Sequence, residues 1–428
     1  MNILMMTNTF TPHVGGVARS VEAFTAEYRR RGHGVLVVAP EFENMPADET
    51  GVIRVPAIQH FNGSDFSVVL PTPGFLTSAL EEFRPNIIHS HHPFLLGATA
   101  LRVAHSHALP LVFTHHTMYE QYTHYVPGDC PALKRFAVKL TTSYANLCDQ
   151  VFAPSASIAA ILRKRGCTRP LEVVPTGVRL GQFQQGDGPG FRAAMGIPAT
   201  AFLVGHLGRL APEKNLEFLA RAVVDFLSQV PEAHFLIVGT GPSETTIRRL
   251  FKEKGLSGRL HCLGILEQPL LASAYHAMDL FAFASCSETQ GMVLTEAMAA
   301  GTPVVALDAA GVREVVKDGE NGLLLPATAD TTAFVAALRQ LRSLAADARA
   351  RLREGARQTA QAFSLERSAD KALHRYEKLC ARNYLERHDH ETWESMARLI
   401  GIEWEMLKGV ADAAGAALGD EAETEHHS

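Results

Sequence analysis

The chain has 428 residues, 46% of them hydrophobic and 20% charged, which suits two globular domains of about 200 residues each and excludes an intrinsically disordered protein. With 40 basic against 45 acidic residues the formal charge is −5, so no nucleic-acid partner is expected. No stretch approaches the ~18 uninterrupted apolar residues of a membrane span, and six cysteines without a Cys-x-x-Cys pair imply a reduced, cytoplasmic protein.

The first positive residue is Arg19, so the N-terminus reads as a β-strand and not as a signal peptide. Short runs rich in valine, isoleucine and leucine recur at 3–7, 35–39, 52–56, 87–91, 109–115, 151–154 and 171–175. They return at 202–208, 234–239, 260–264, 280–284 and 303–307. Runs apolar on both faces, joined by helix-length connections, predict parallel strands covered on each side by helices. The turn-rich stretch 184–190 has no periodicity and separates two such blocks, so the expected domains are 1–185 and 186–365. The fold class is α/β: two Rossmann-like domains facing across a cleft, with ligands at the carboxyl ends of the strands.

The extension 384–428 holds eleven Asp or Glu against three Lys or Arg, which leaves the preceding body at +3. Trp393, Met396, Ile400, Trp404, Leu407 and Ala411 form one stripe of an amphipathic helix. This helix is expected to pack on the body or to join copies in a homo-oligomer through 393–411, with disorder past Gly419. Its acidic polar face argues against the other reading, a membrane-surface helix.

In the first block, Gly15-Gly16 precedes a helix predicted over 17–31, and paired glycines there let backbone approach a ligand closely. Neither this pair nor Gly239-Thr240-Gly241 completes Gly-x-Gly-x-x-Gly, so a nicotinamide enzyme is unsupported. His89, His91, His92, His115 and His116 crowd predicted strand ends. No Asp-x-Asp or cysteine accompanies them, so no metal is expected, and acid–base or hydroxyl-orienting work suits them better. Tyr119, Tyr122 and Tyr125 recur every three residues, either as a packed aromatic face or as the rim of a partly apolar acceptor site.

In the second block, residues 208–215 read GRLAPEKN and end that block's first strand. A lysine near a helix N-terminus is unfavourable unless an anion is present. Arg209 and Lys214 converging on a diphosphate would explain it; a solvated loop pair is the alternative. The strongest element is 285–303, SCSETQGMVLTEAMAAGTP. Gly291 permits a tight turn into a helix, and the N–H groups of Gly291, Met292 and Val293 then make an anion site. Glu288 and Glu296 flank it. A phosphate on the amides with hydroxyls on both carboxylates describes a nucleotide-sugar, although Glu296 alone could be a helix-dipole partner.

The Glu-x7-Glu element Glu288…Glu296, with Gly208-Arg209, Lys214 and Gly15-Gly16, resembles the retaining family-4 glycosyltransferases of the GT-B fold. The resemblance spans roughly 1–380. It implies that Glu288 holds the donor hexose, Glu296 the ribose, and Arg209 with Lys214 the diphosphate. It places His116 near the 6-hydroxyl of the transferred sugar, and it implies front-face transfer without a metal or other cofactor. A closing helix over 366–383 is expected to return toward the first domain. Segments 91–97, 114–125 and 287–291 are similar to bacterial enzymes that transfer α-glucose from UDP-glucose to 1,2-diacylglycerol. Those enzymes dock on anionic membranes through basic first-domain surfaces, for which Arg29-Arg30-Arg31 and Lys134, Arg135 and Lys139 are the counterparts here.

The expected function is thus a retaining, metal-independent hexosyltransferase moving glucose from UDP-glucose to a lipid such as 1,2-diacylglycerol. It would work in the cytoplasm, peripherally on the inner face of the membrane. His116, Glu288, Arg209 and Lys214 form the expected catalytic set. Gly15, Gly16, Gly291, Met292, Val293 and Glu296 complete the donor site, and His91, Tyr119 and Tyr122 stand on the acceptor side. A soluble or polyprenyl-linked saccharide is the alternative acceptor. A nucleotide-sugar epimerase or a binding subunit is the alternative from another class.

Overall fold

The computed structural model describes residues 1–58, 68–69, 76–122, 130–286, 288–386, 402, 405–406 and 408–410. The chain divides into two units, Met1–Thr176 with Ser368–Ser428 and Gly177–Arg367. Each is built on one parallel sheet.

The first unit runs β1 Asn2–Met6, α1 Gly16–Arg30, β2 Gly34–Pro40, β3 Val52–Val55, β4 Ala57–Ile58, β5 Val68–Val69, α2 Thr77–Phe83 and β6 Ile87–Ser90. It continues through α3 Leu96–Ser106, β7 Leu111–Thr114, α4 Pro131–Leu147, β8 Gln150–Ala153, α5 Ala156–Lys164 and β9 Leu171–Val173. Seven strands pair in the order β3-β2-β1-β6-β7-β8-β9, while β4 and β5 form a separate antiparallel pair. Ile3, Leu4, Met5 and Met6 are all fully buried, as a strand covered on both faces requires. The strand order reverses between β1 and β6, so the crevice for a ligand opens beyond their carboxyl ends.

The second unit contains α6 Leu180–Phe183, α7 Gly188–Ala194, β10 Phe202–Leu207, α8 Leu216–Gln229, β11 Ala233–Val238, α9 Glu244–Glu253 and β12 Leu260–Cys262. It goes on through α10 Leu270–Ala277, β13 Leu280–Phe283, α11 Met292–Ala299, β14 Val304–Leu307, β15 Gly322–Leu325, α12 Thr331–Arg342 and α13 Ala346–Ala362. Its six strands pair in the order β12-β11-β10-β13-β14-β15, with the reversal between β10 and β13. Alternate residues feed the two sides of this sheet. Leu203, Leu207, Phe281 and Phe283 enter one core, and Val204, Leu280 and Ala282 enter the other.

The unit boundary falls at Thr176, ahead of the expected 185/186. Packing decides it: Val178, Phe183 and Phe191 are buried in the second unit's core together with Tyr275 and Phe281. The last long helix, α14 Leu365–Glu386, spans the expected 366–383, and its residues from Ser368 onward group with the first unit. There Tyr376 is fully buried, and its ring stacks on Phe152 of β8.

The six stripe residues of the predicted 393–411 helix lie outside the described residues. Its described positions 402, 405–406 and 408–410 are helical. Ile402 is buried, and Gly409 approaches α4 so closely that a Cβ on it would lie 3.1 Å from Ser143 Cβ. This part of the extension packs on its own chain.

Candidate active site

In the second unit the reversal between β10 and β13 brings together the loops that end those strands. After β10, the segment 208–211 is stitched to the turn after β11: Leu210 N donates to Thr240 O at 2.8 Å, and Ser243 N to Leu210 O at 2.8 Å. A single 3₁₀ turn, Pro212–Lys214, then leads to Asn215, whose positive φ of 54° opens α8. Asn215 Nδ2 donates to Ala284 O at 3.2 Å, tying this loop to the end of β13. Lys214 Nζ thereby meets Glu288 Oε1 at 2.6 Å, with both side chains mostly buried. The lysine beside the helix N-terminus has its anion, and in this structure that anion is Glu288. Arg209 pairs with Glu213 of the same loop.

Gly291 takes φ 73° as the N-cap of α11, a conformation that a side chain would strain, and glycine itself brings no capping side chain. Of the leading amides, Leu294 N donates to Gly291 O at 3.0 Å, and a helix N-terminus is where an anion would be received. One turn in, Glu296 is buried and accepts a hydrogen bond from Tyr275 OH at 2.8 Å. Tyr275, on α10, was not singled out by the sequence reading; lying far from Glu296 in sequence and on an apolar helix, it reads as a core residue. His206 on β10 is a second such case. Its Nδ1–H donates to Ala282 O at 3.1 Å, and burial near Lys214 pushes its imidazole down to about 4.

In the first unit the crevice between β1 and β6 carries the remaining candidates. Gly15 is the extended N-cap of α1 and Gly16 its first residue. A Cβ built on Gly16 meets nothing within 4 Å, so the free fold does not demand glycine there. Asn8, just past β1, holds the loop after β6: its N–H donates to His92 Nδ1 at 3.0 Å, and its side chain bridges Phe94 O and Leu96 N. Asn8 too escaped the sequence reading. His91 is buried, with Nδ1 2.9 Å from His116 Nε2, so it lies behind His116 and not on an open acceptor surface. Tyr119 packs edge-on against Phe94, and Tyr122 ends the 3₁₀ turn Tyr119–Gln121. Tyr125 lies outside the described residues.

The histidines share one electrostatic condition. Burial pushes His92, His115 and His116 down to about 3, and holds His89 and His91 well below the usual imidazole range, with neighbouring imidazoles adding to the shift of His91. All five are neutral at ordinary pH. Among the described residues no group of three His, Cys, Asp or Glu is arranged to hold a metal ion.

The basic clusters differ from the expectation in one respect. Arg29 donates to the carbonyls of Val35 and Gly51, Arg30 pairs with Glu27, and Arg31 pairs with Glu27 and Asp370. The triple arginine is thus engaged with its own fold and is not a bare cationic surface. No described helix is long and apolar enough to cross a membrane.

A family model described as Glycosyltransferase Family 4 matches residues 14–182, and one described as Glycosyl transferases group 1 matches 189–359. The alpha-monoglucosyldiacylglycerol synthase of Acholeplasma laidlawii is 28% identical over 340 residues, covering 76% of this chain and 84% of that protein. A GDP-mannose-dependent alpha-mannosyltransferase of Mycolicibacterium smegmatis is 30% identical over 348 residues, covering 80% and 88%. The solved sucrose-phosphate synthase from Thermosynechococcus elongatus shares the fold, with a TM-score of 0.73 at 22% identity over 89% of this chain and 99% of that one. With its two sheets matched in turn by glycosyltransferase models, and a mannosyltransferase relative aligned along most of its own length, this chain belongs to glycosyltransferase family 4 and is a glycosyltransferase of the GT-B type.

Proposed function

We propose that this enzyme transfers glucose from UDP-glucose to a lipid acceptor such as 1,2-diacylglycerol, with retention of anomeric configuration and without a metal. The observation that carries the donor half is the Lys214–Glu288 pair at the strand reversal, 2.6 Å apart, next in sequence to the glycine-started N-terminus of α11. In this reading a diphosphate sits on the α11 amides and takes Lys214 and Arg209 as counter-charges. Glu288, released from its lysine, accepts hydroxyls of the hexose, and Glu296, held by Tyr275, accepts those of the ribose. The acceptor oxygen attacks the anomeric carbon from the face that the diphosphate leaves. One C–O bond forms as the other breaks, and the acceptor proton passes to the departing phosphate oxygen, the nearest base on that face. Lys214, Arg209 and the amides stabilise the charge that develops there. No carboxylate needs to act as a nucleophile.

The lipid acceptor rests on the similarity to the diacylglycerol-glucosylating relatives, and with it a peripheral position on the cytoplasmic face of an anionic membrane. Lys134, Arg135 and Lys139 on α4 are the remaining basic candidates for that contact. The GDP-mannose-dependent relatives favour a second reading, in which the same site takes GDP-mannose. A donor screen separates them: UDP release from UDP-glucose should outpace nucleotide release from GDP-mannose in the presence of diacylglycerol, without added metal. The reverse ranking would sink the UDP-glucose reading. Sedimentation with anionic liposomes tests the membrane contact, and its absence would remove the peripheral position.

A further inference from the structure

Three side chains from successive strands of the first unit meet in line. Met5 lies on β1, His91 just past β6 and His116 just past β7. His91 Nε2 is 3.4 Å from Met5 Sδ, and His91 Nδ1 is 2.9 Å from His116 Nε2. A thioether sulfur has no proton to give and can only accept. Each neutral imidazole carries one N–H and one lone pair. If the His91 proton sat on Nδ1, its Nε2 lone pair would face the sulfur lone pairs in a fully buried contact. With the proton on Nε2, it points at the sulfur, and the Nδ1 lone pair faces His116. The hydrogen between the two rings must then come from His116 Nε2.

We infer that Met5 and His91 are positioning residues that hold His116 as its Nε2–H tautomer, so that the ring's lone pair lies on Nδ1. The ring of His91 is itself clamped. Its centroid lies 4.1 Å from that of His89, whose Nε2 is 2.6 Å from Thr114 Oγ1 and whose Nδ1 is 2.5 Å from Tyr376 OH on α14. Neutrality of the whole set, imposed by burial, keeps one proton per ring. The consequence for transfer rests on His116 contacting the transferred sugar, as the family resemblance implies; the tautomer does not.

The test is a ¹⁵N–¹H long-range correlation spectrum of the full-length, ligand-free protein labelled at histidine, with His116 assigned from its loss in His116→Asn. The expected spectrum shows His116 Nε2 protonated and Nδ1 bare, and Met5→Leu should convert it to a mixture of tautomers. A protonated Nδ1 in the wild-type protein would overturn the inference. In turnover, His91→Leu should lower kcat by roughly tenfold, the worth of one buried hydrogen bond. His91→Asn, whose amide oxygen can accept from His116 Nε2–H, should recover most of that loss. Equal kcat in the two variants would contradict a positioning role, since mere filling of space favours leucine. If His116→Ala turns over normally while the wild-type spectrum reads Nε2–H, the proposed role of His116 in transfer fails and the tautomer assignment stands.

Discussion

Lys214 and Glu288 satisfy each other in the ligand-free chain, and a donor diphosphate would have to replace the carboxylate as the lysine's partner. In the proposed reading, removing the lysine costs the leaving group a counter-charge and breaks the ion pair of Glu288 at once. Lys214→Ala should lower kcat by 10² or more, roughly 3 kcal/mol of transition-state stabilisation. Normal turnover by this variant in steady-state assays would refute the diphosphate assignment. Tyr275 supplies a contrast, because its hydroxyl donates to Glu296, the carboxylate proposed for the ribose and so away from the reacting bond. In Tyr275→Phe the donor KM should rise by about three- to tenfold while kcat stays within about twofold, the signature of lost binding away from the reacting bond. A fall in kcat at unchanged KM would place Glu296 in the chemistry instead.

At the level of elements, the start of α1 and the strand ends make separable claims. A methyl group on Gly16 meets nothing in the free fold, and alanine favours a helix over glycine by about 0.5–1 kcal/mol. Gly16→Ala should melt no lower than the wild type, yet show a raised donor KM if backbone must approach the ligand there. An unchanged KM would remove Gly16 from the donor site. The buried histidines at the ends of β6 and β7 set the response to acid. His89, His91, His92 and His115 are neutral in the folded chain, whereas the unfolded chain protonates them near pH 6.5. Below that pH the unfolded state binds more protons. Their contribution to stability is thus complete above about pH 6.5 and is lost progressively as pH falls below it, down to about 3 for His92 and His115, by about 1.4 kcal/mol per pH unit for each protonating imidazole. Thermal unfolding at pH 5.5 should come well below that at pH 7.5, and a melting temperature independent of pH across this range would contradict the burial of these rings.

For the whole molecule, the parallel sheets were legible because strands such as β1 and β10 are apolar on both faces, a pattern that leaves little choice of architecture. The chain boundary was less so: the turn-rich 184–190 carries the signal, but Phe183 and Phe191 on either side of it are anchored in the second core, so the units part before it. β15, Gly322–Leu325, and the two-residue strands β4 and β5 escaped because a short edge segment has too few residues for periodicity to register. In the candidate site, Glu288, Lys214 and the α11 turn stand out through a lysine misplaced for a helix dipole and a glycine before an apolar helix. Tyr275, Asn8 and Met5 do not, because each meets its partner only through long-range packing.

Transfer of glucose to a lipid is the proposed reaction. It is tested most directly by incubating the full-length enzyme with labelled UDP-glucose and 1,2-diacylglycerol in mixed micelles, with a chelator in place of added metal, and following label into the organic phase. Label in the organic phase, dependent on diacylglycerol and lost in Lys214→Ala, is the predicted result. Label that stays in water while UDP is released would contradict the lipid acceptor.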